Sequence, residues 1–311
     1  MTRGEKTTGT TTIGVLGGSG LYEVEGLTDV RSTEVSTPYG PPSGPLLSGR
    51  VGETRLIFIP RHGPGHRFSP SEINYRANVF ALKAAGARRV LSVSAVGSLK
   101  DGLTPGDYVL VDQFIDKTFR RASTFFGDGV VGHVAFAEPT CPALGAVVTT
   151  TALEAGIADT THEARHHQKS TEPVKRLHRG GTYVCMEGPQ FSSRAESLLH
   201  RSWGADVIGM TAATEAKLCR EAELCYASLA LVTDYDAWHE EEAAVTAAAV
   251  LEVLRANVAG AKAIIRDLPN HLGELGDCSC ATAAAHAILT APEAISPEAR
   301  QRLKALYGRD I

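Results

Sequence analysis

The apolar run Ala227 to Val232, broken only by Ser228, ends in two carboxylates two residues apart, Asp234 and Asp236. A run of this kind makes a strand buried on both faces, which requires helices on either side of a largely parallel sheet. The carboxylates then stand where that strand stops. In an open α/β sheet this edge is where ligands bind, and a carboxyl held there loses water and has its pKa raised, so that it can deliver a proton at neutral pH. Asp is also common in solvated turns, so Asp-x-Asp alone leaves both readings open.

The rest of the chain repeats the α/β pattern. TIGVLG at 12–17 reads as a first buried strand running into the turn Gly17-Gly18-Ser19-Gly20, and further strands are expected at 46–51, 55–60, 88–95, 107–111, 182–186 and 225–233. Between them, Ile73, Ala77, Phe80 and Ala84 share a helical face, as do Leu251, Leu254, Val258, Ala261 and Ile265. Pro70 after Ser69, with Ser71-Glu72 behind it, predicts that the first of these helices begins there.

With 311 residues, 43% apolar and 21% charged, the chain has enough material for one large core. A net charge of −4 provides no broad basic field, which argues against nucleic acid as a partner. The opening MTRGEKTTGTTT lacks the apolar core of a signal peptide, and nowhere is there an apolar run long enough to span a membrane, so a cytoplasmic protein with a small-molecule ligand is expected. Six cysteines, at 141, 185, 219, 225, 278 and 280, are spread unlike a secreted disulfide framework. The Cys278-Ser-Cys280 pair reads either as two thiols at the start of a helix or as a redox-sensitive local disulfide; a lone Cys-x-Cys is a weak metal pattern.

The segment 159–179, DTTHEARHHQKSTEPVKRLHR, has four His, five Lys or Arg and almost no apolar side chains, and reads as a surface excursion. His162 and His166 are spaced i, i+4 with His167 adjacent, which a metal could use on a helix, but solvated His-rich loops are commonplace. No metal is expected.

Four strand ends carry groups suited to an anion. The glycines around Ser19 allow backbone N–H groups to approach a ligand closely, although the spacing matches neither a dinucleotide fingerprint nor a lysine-containing phosphate loop. Arg61-His62-Gly63 follows the apolar strand Leu56 to Pro60 with a planar guanidinium fork suited to phosphate oxygens. Ser94-Ala95-Val96-Gly97-Ser98 ends a third strand, and Met210-Thr211 follows Val207-Ile208 at a fourth. Each alone is more often structural; together with the carboxylate strand end they point to a phosphate site facing an acid/base site.

The strings GVLGGSGLYEV, TPYGPPS, RHGPGHRFSPSEINYRANVFALKAAG, SAVGSL, PGDYVLVDQFIDKT, AEPTCP, MEGPQFSSRAES and ADVIGMTAATEAKLCREAELCYASLALVTDYDAW together resemble the trimeric purine nucleoside phosphorylase family, and within it the members that act on 5′-methylthioadenosine. The resemblance spans nearly all of residues 12–290; the His-rich excursion and the tail beyond about 290 depart from it. It implies a single-domain three-layer αβα sandwich with a mixed central β-sheet, after a flexible 1–11 and followed by a tail helix within 291–311. It further implies phosphorolysis of 5′-methylthioadenosine to adenine and 5-methylthioribose 1-phosphate, with inorganic phosphate as co-substrate and no cofactor. Phosphate is expected on Ser19, Arg61, His62, Ser94, Ala95 and Thr211. Met210 is expected against the ribose, Phe191 and Ser192 against the purine, and Asp234 and Asp236 facing the base as catalytic residues. Ala247, Val250 and Leu251 line the apolar 5′ pocket on this reading, although by pattern alone they are a helix core face. The family's trimer places His133 and Leu289 of a neighbouring subunit beside the 5′ group.

Other readings stay open from sequence alone. A phosphorylase of the same fold acting on adenosine, inosine or guanosine differs only in pocket detail. A dinucleotide-dependent oxidoreductase is suggested by GVLGGSG, but the later fingerprint spacings and the acidic residue ending a second strand are missing. A nucleoside-binding module without catalysis would not need both Arg61 and Asp234.

Overall fold

The structure, a computed structural model, describes residues 11–18, 20–160, 175–239, 247–274 and 278–310, with the backbone alone at 247–250 and 274. Ser19, the segment 1–11 apart from Thr11, and His162, His166 and His167 lie outside the described residues.

The longest apolar strings form the centre of a mixed sheet. β1 (Thr12–Gly17) lies between β4 (Thr54–Pro60) and β5 (Arg89–Ser98), parallel to both, and β5 pairs in parallel with β12 (Cys225–Asp234). Outward from β4 run β3 (Leu46–Val51) and β2 (Thr28–Thr33), both antiparallel. Beyond β12 lies antiparallel β6 (Tyr108–Val111), followed in parallel by β9 (Arg176–Arg179) and the short β8 (Ala158–Asp159). A branch of β7 (Gln113–Asp116), β10 (Thr182–Cys185) and β11 (Val207–Gly209) joins the sheet where β11 runs antiparallel to the end of β5.

Side chains alternate across this sheet, and each face meets its own helices. On one face Val15, Phe58, Leu91 and Val93 pack with Leu144 and Val147 of α2 (Pro142–Glu154) and Ala261 and Ile264 of α5 (Ala247–His271). On the other, Leu16, Ile57, Ile59 and Val90 pack with α1 (Tyr75–Ala84), α4 (Ala212–Glu221) and α6 (Pro297–Tyr307). The remaining helix, α3 (Arg194–Ser202), starts with a capping box from Ser193 and Glu196. Three layers result, α/β/α around a mixed sheet.

Two sequence expectations need correction. Helix α1 begins at Tyr75 rather than after Ser69, because Asn74 caps it by accepting from the Ala77 N–H at 3.1 Å, while its amide donates to the Tyr39 carbonyl at 2.7 Å. Ser69 and Glu72 close a separate turn through Ser69 N and Oγ to Glu72 Oε2, at 2.9 and 2.6 Å. The excursion is also shorter than 159–179: its two ends, Ala158–Asp159 and Arg176–Arg179, pair as strands.

Candidate active site

Because β1, β4, β5 and β12 run in parallel, their carboxyl ends open on one edge of the sheet, where ligands of such sheets bind. A cavity of about 570 Å³ lies there, a size suited to one small molecule. Its lining contains Arg61, His62, Ser94, Ala95, Phe191, Met210, Thr211, Asp234 and Asp236 of the residues expected from sequence.

Asp234 ends β12. Its Oδ1 accepts from the Asp236 N–H at 2.8 Å, and its Oδ2 lies 2.7 Å from Thr233 Oγ1, which in turn lies 3.2 Å from the Val96 carbonyl. A hydroxyl has a single hydrogen, so Thr233 cannot donate to both neighbours. The contact to Asp234 Oδ2 is the shorter, so Thr233 donates there, and the Asp234 carboxyl accepts from both Thr233 and the Asp236 N–H. Burial pushes the Asp234 carboxyl above the ordinary range, and the neighbouring Asp236 charge adds to the rise. Asp236 is buried with φ of 52°, a left-handed conformation that Asp tolerates better than most residues, and its Oδ2 has no hydrogen-bond partner among the described residues. The loop beyond is pinned by Trp238, whose indole donates to the Ser98 carbonyl at 2.7 Å beneath the Arg201 guanidinium.

Polar donors line the other strand ends. Thr211 is the first residue ahead of α4 and makes no capping bond with its side chain, so its hydroxyl and the positive end of the helix both remain for an anion. Ser94 Oγ is buried without a hydrogen-bond partner among the described residues. His62 Nδ1 lies 2.9 Å from the Phe68 carbonyl and must therefore carry the proton, which leaves a lone pair on Nε2. Burial, and then the Arg61 charge, push the His62 pKa down to about 4, so the ring is neutral.

Arg61 departs from expectation. Only 2% exposed, it directs Nε and Nη2 at Glu215, at 2.5 and 3.1 Å, with Nη2 also 2.8 Å from Ser92 Oγ and Nη1 donating to the Val93 carbonyl at 3.1 Å. Its two-pronged fork is closed on Glu215 rather than open to the cavity, leaving a single Nη1 hydrogen. A second buried pair, invisible in the sequence reading, holds the cavity wall: Arg121 donates to Glu187 Oε1 at 3.1 Å, to the Glu187 carbonyl at 2.7 Å and to the Met210 carbonyl. Glu187 also accepts from the Phe119 N–H at 2.7 Å and from Ser71.

Two residues expected in this chain's own lining lie elsewhere. Ser192 is outside the lining, with Oγ beside Met186 Sδ at 3.8 Å. Leu251 is half-exposed and away from the cavity; Leu254 and Val258, three and seven residues further along α5, line it instead. The i, i+3, i+7 pattern contained that information, but gave no means of choosing which turn of the helix reaches the site. The side chains of Ala247 and Val250 lie outside the described residues. His133 and Leu289 are also outside the lining and stand together on the surface, where the His133 N–H donates to the Ala287 carbonyl and the Leu289 N–H to that of Val131.

Comparison with known proteins adds relatives to this geometry. The family model described as the phosphorylase superfamily matches residues 12–268. The S-methyl-5′-thioadenosine phosphorylase of Geobacter sulfurreducens is 50% identical over 297 residues, covering 95% of this chain and 98% of the relative, and that of Cereibacter sphaeroides is 47% identical over 302 residues, covering 96% and 98%. Among solved structures, a methylthioadenosine phosphorylase from an antarctic soil metagenomic library superposes with a TM-score of 0.86 at 45% identity, covering 96% of this chain and 99% of that one. The methylthioadenosine phosphorylase of Schistosoma mansoni in complex with adenine gives 0.79 at 38% identity, covering 88% and 96%.

Proposed function

This chain belongs to the phosphorylase superfamily, and from that premise we propose that it cleaves 5′-methylthioadenosine with inorganic phosphate, giving adenine and 5-methylthioribose 1-phosphate. One observation carries the reading: a half-buried carboxyl with a raised pKa, Asp234, shares a cavity with the Ser94 and Thr211 hydroxyls and a helix N-terminus.

The reaction has two electrostatic demands, an anionic nucleophile at the anomeric carbon and a purine that does not leave as a bare anion. Ser94, Thr211, the Ala95 backbone and the α4 N-terminus would hold phosphate, with the single Arg61 hydrogen adding to them; Ser19 joins this set by resemblance. The His62 lone pair would accept a hydrogen from the phosphate's own P–OH. Phosphate beneath the sugar also stabilises positive charge developing on the ribose. Asp234 would donate its proton to the imidazole ring of the purine as the glycosidic bond breaks. The free Oδ2 of Asp236 suits an exocyclic amine, which is a donor, better than a 6-oxo group, which is an acceptor. Met210 and Phe191 supply apolar surface for sugar and base.

The assembly we propose is a homotrimer in which a neighbour's His133 and Leu289 close the 5′ side. Support comes from their position: Leu289 is 69% exposed in the isolated chain, and the two residues lie next to the isolated bridge between Gly132 and Ile288. A cytoplasmic location fits six cysteines that are all free. Among the described residues no helix is long and apolar enough to cross a membrane.

Product analysis with methylthioadenosine, adenosine and inosine, each with and without phosphate, tests the reading. Adenine release that requires phosphate, with methylthioribose 1-phosphate as co-product, is expected. Equal release without phosphate would make the protein a hydrolase.

A further inference from the structure

Four of the six cysteines, distant in sequence, converge in space. Cys141 caps α2, Cys225 opens β12, and Cys278 and Cys280 flank Ser279 at the short helical turn beyond α5. Their four Sγ atoms lie within 4.8 Å of one another, Cys225 and Cys278 at 3.5 Å. We propose that these thiols form a structural site for one tetrahedral, thiolate-preferring divalent ion, with zinc the ion to be tested.

The geometry fits a single ion. Zinc–thiolate bonds of about 2.3 Å arranged tetrahedrally place sulfurs roughly 3.8 Å apart, so shifts of an ångström or less bring all four into the coordination sphere. An iron–sulfur cluster, which spreads its four cysteine sulfurs over two or more irons, needs a wider cage. Four protein ligands leave no open coordination position, which marks a structural rather than a catalytic site.

The surroundings suit coordinated thiolates. Cys141 Sγ accepts from the Leu144 N–H at 3.4 Å at the positive end of α2, and Arg220 Nη1 lies 3.9 Å from Cys280 Sγ. Cys141, Cys225 and Cys280 are buried and Cys278 is half-buried, so the ion would be shielded while retaining an entry side. Buried cysteines often serve as small apolar side chains, as Cys219 does within the α1–α4 core, but that role does not require four sulfurs gathered within 4.8 Å of one another. The ion would tie the segment after α5 to α2 and β12. The same segment continues to Ile288, which bridges Gly132, and on to Leu289, so the site would fix the base of the surface on which the proposed trimer depends.

The test uses the full chain, purified without chelator. Elemental analysis is expected to give one zinc per chain. Cobalt titrated into the reduced, metal-free protein should give the visible bands of a tetrahedral thiolate complex, which zinc then removes at one equivalent. Cys278→Ser and Cys280→Ser should each weaken cobalt binding at least tenfold, whereas Cys219→Ser, outside the cluster, should not. Chelation should lower Tm in the parent protein and leave Cys278→Ser unmoved. Absence of bound metal together with absence of thiolate–cobalt bands in the reduced protein overturns the proposal. So does a Cys225–Cys278 disulfide found by peptide mapping after thiols are trapped at lysis.

Discussion

Gly97 leaves the space that Asp234 occupies: a Cβ at position 97 would stand 2.9 Å from Asp234 Oδ1 and 3.1 Å from Asp236 Cβ. Strands β5 and β12 can therefore bring the carboxyl against bare backbone, where it is shielded from water without a counter-charge. Gly97→Ala should displace Asp234 while leaving the phosphate wall in place. A fall in kcat of tenfold or more with little change in the phosphate KM is expected from steady-state kinetics. Unchanged kcat would show that the close approach has no part in catalysis.

Asp234→Ala should lose about 10²–10⁴-fold in kcat, the usual cost of removing a general acid, while phosphate binding measured by calorimetry persists. Because the proton is needed on the carboxyl, the parent enzyme should also lose activity on the alkaline side as Asp234 ionises, its pKa being raised by burial. That limb should vanish from the residual activity of Asp234→Asn, which should also shift preference toward inosine. An alkaline limb that survives the substitution would assign it to another group.

The buried Arg61–Glu215 pair makes a prediction about stability. Glu215→Leu strands the guanidinium in a site with both side chains almost fully buried, and breaking such a pair costs roughly 3–5 kcal/mol in denaturant unfolding. Changing both residues to Met should recover most of that loss, since no unpaired charge remains. A double variant as unstable as the single one would show that the pair acts through packing rather than charge.

His62 gives the pH dependence of folding. The unfolded chain protonates it near its ordinary pKa of 6.5, whereas burial holds the folded ring neutral down to about 4. The unfolded state therefore binds more protons between these values. Stability is full above the upper value and is lost as pH falls toward the lower one, by up to roughly 3 kcal/mol from this group. His62→Asn should flatten that part of the stability curve relative to the parent. Parallel curves would mean the ring titrates normally in the folded state.

Legibility in the sequence followed burial. The central strands at 12–17, 54–60, 89–98 and 225–234 were readable because both faces are apolar. β2 is exposed along its length and β9 lies in a polar stretch, so neither had a pattern to find. In the site, Asp234 could be read because it ends a strand, a local property. The closure of Arg61 on Glu215 joins residues 154 apart, and the Arg121–Glu187 pair joins residues 66 apart; no local pattern encodes either. The cysteines carried even less signal, since their convergence depends on three separate elements.

The 5′ pocket should prefer methylthio to hydroxyl. Leu254 and Val258 give the cavity an apolar wall on α5, and Leu289 of a neighbouring copy would extend it in the proposed trimer. Burying a methylthio group there is expected to gain on the order of 1–3 kcal/mol, whereas a hydroxyl loses water and depends on a partner His133 for compensation. The ratio of kcat/KM for methylthioadenosine over adenosine should therefore exceed about fivefold, and Leu254→Asn should narrow it by offering the hydroxyl an amide. Mixing subunits inactivated at Asp234 with subunits carrying His133→Ala should restore part of the activity, because some sites would then combine an intact acid with an intact neighbour. A kcat/KM ratio at or below one would hand the reading to a general purine nucleoside phosphorylase, and full activity from monomers in light scattering would remove the neighbour's contribution altogether.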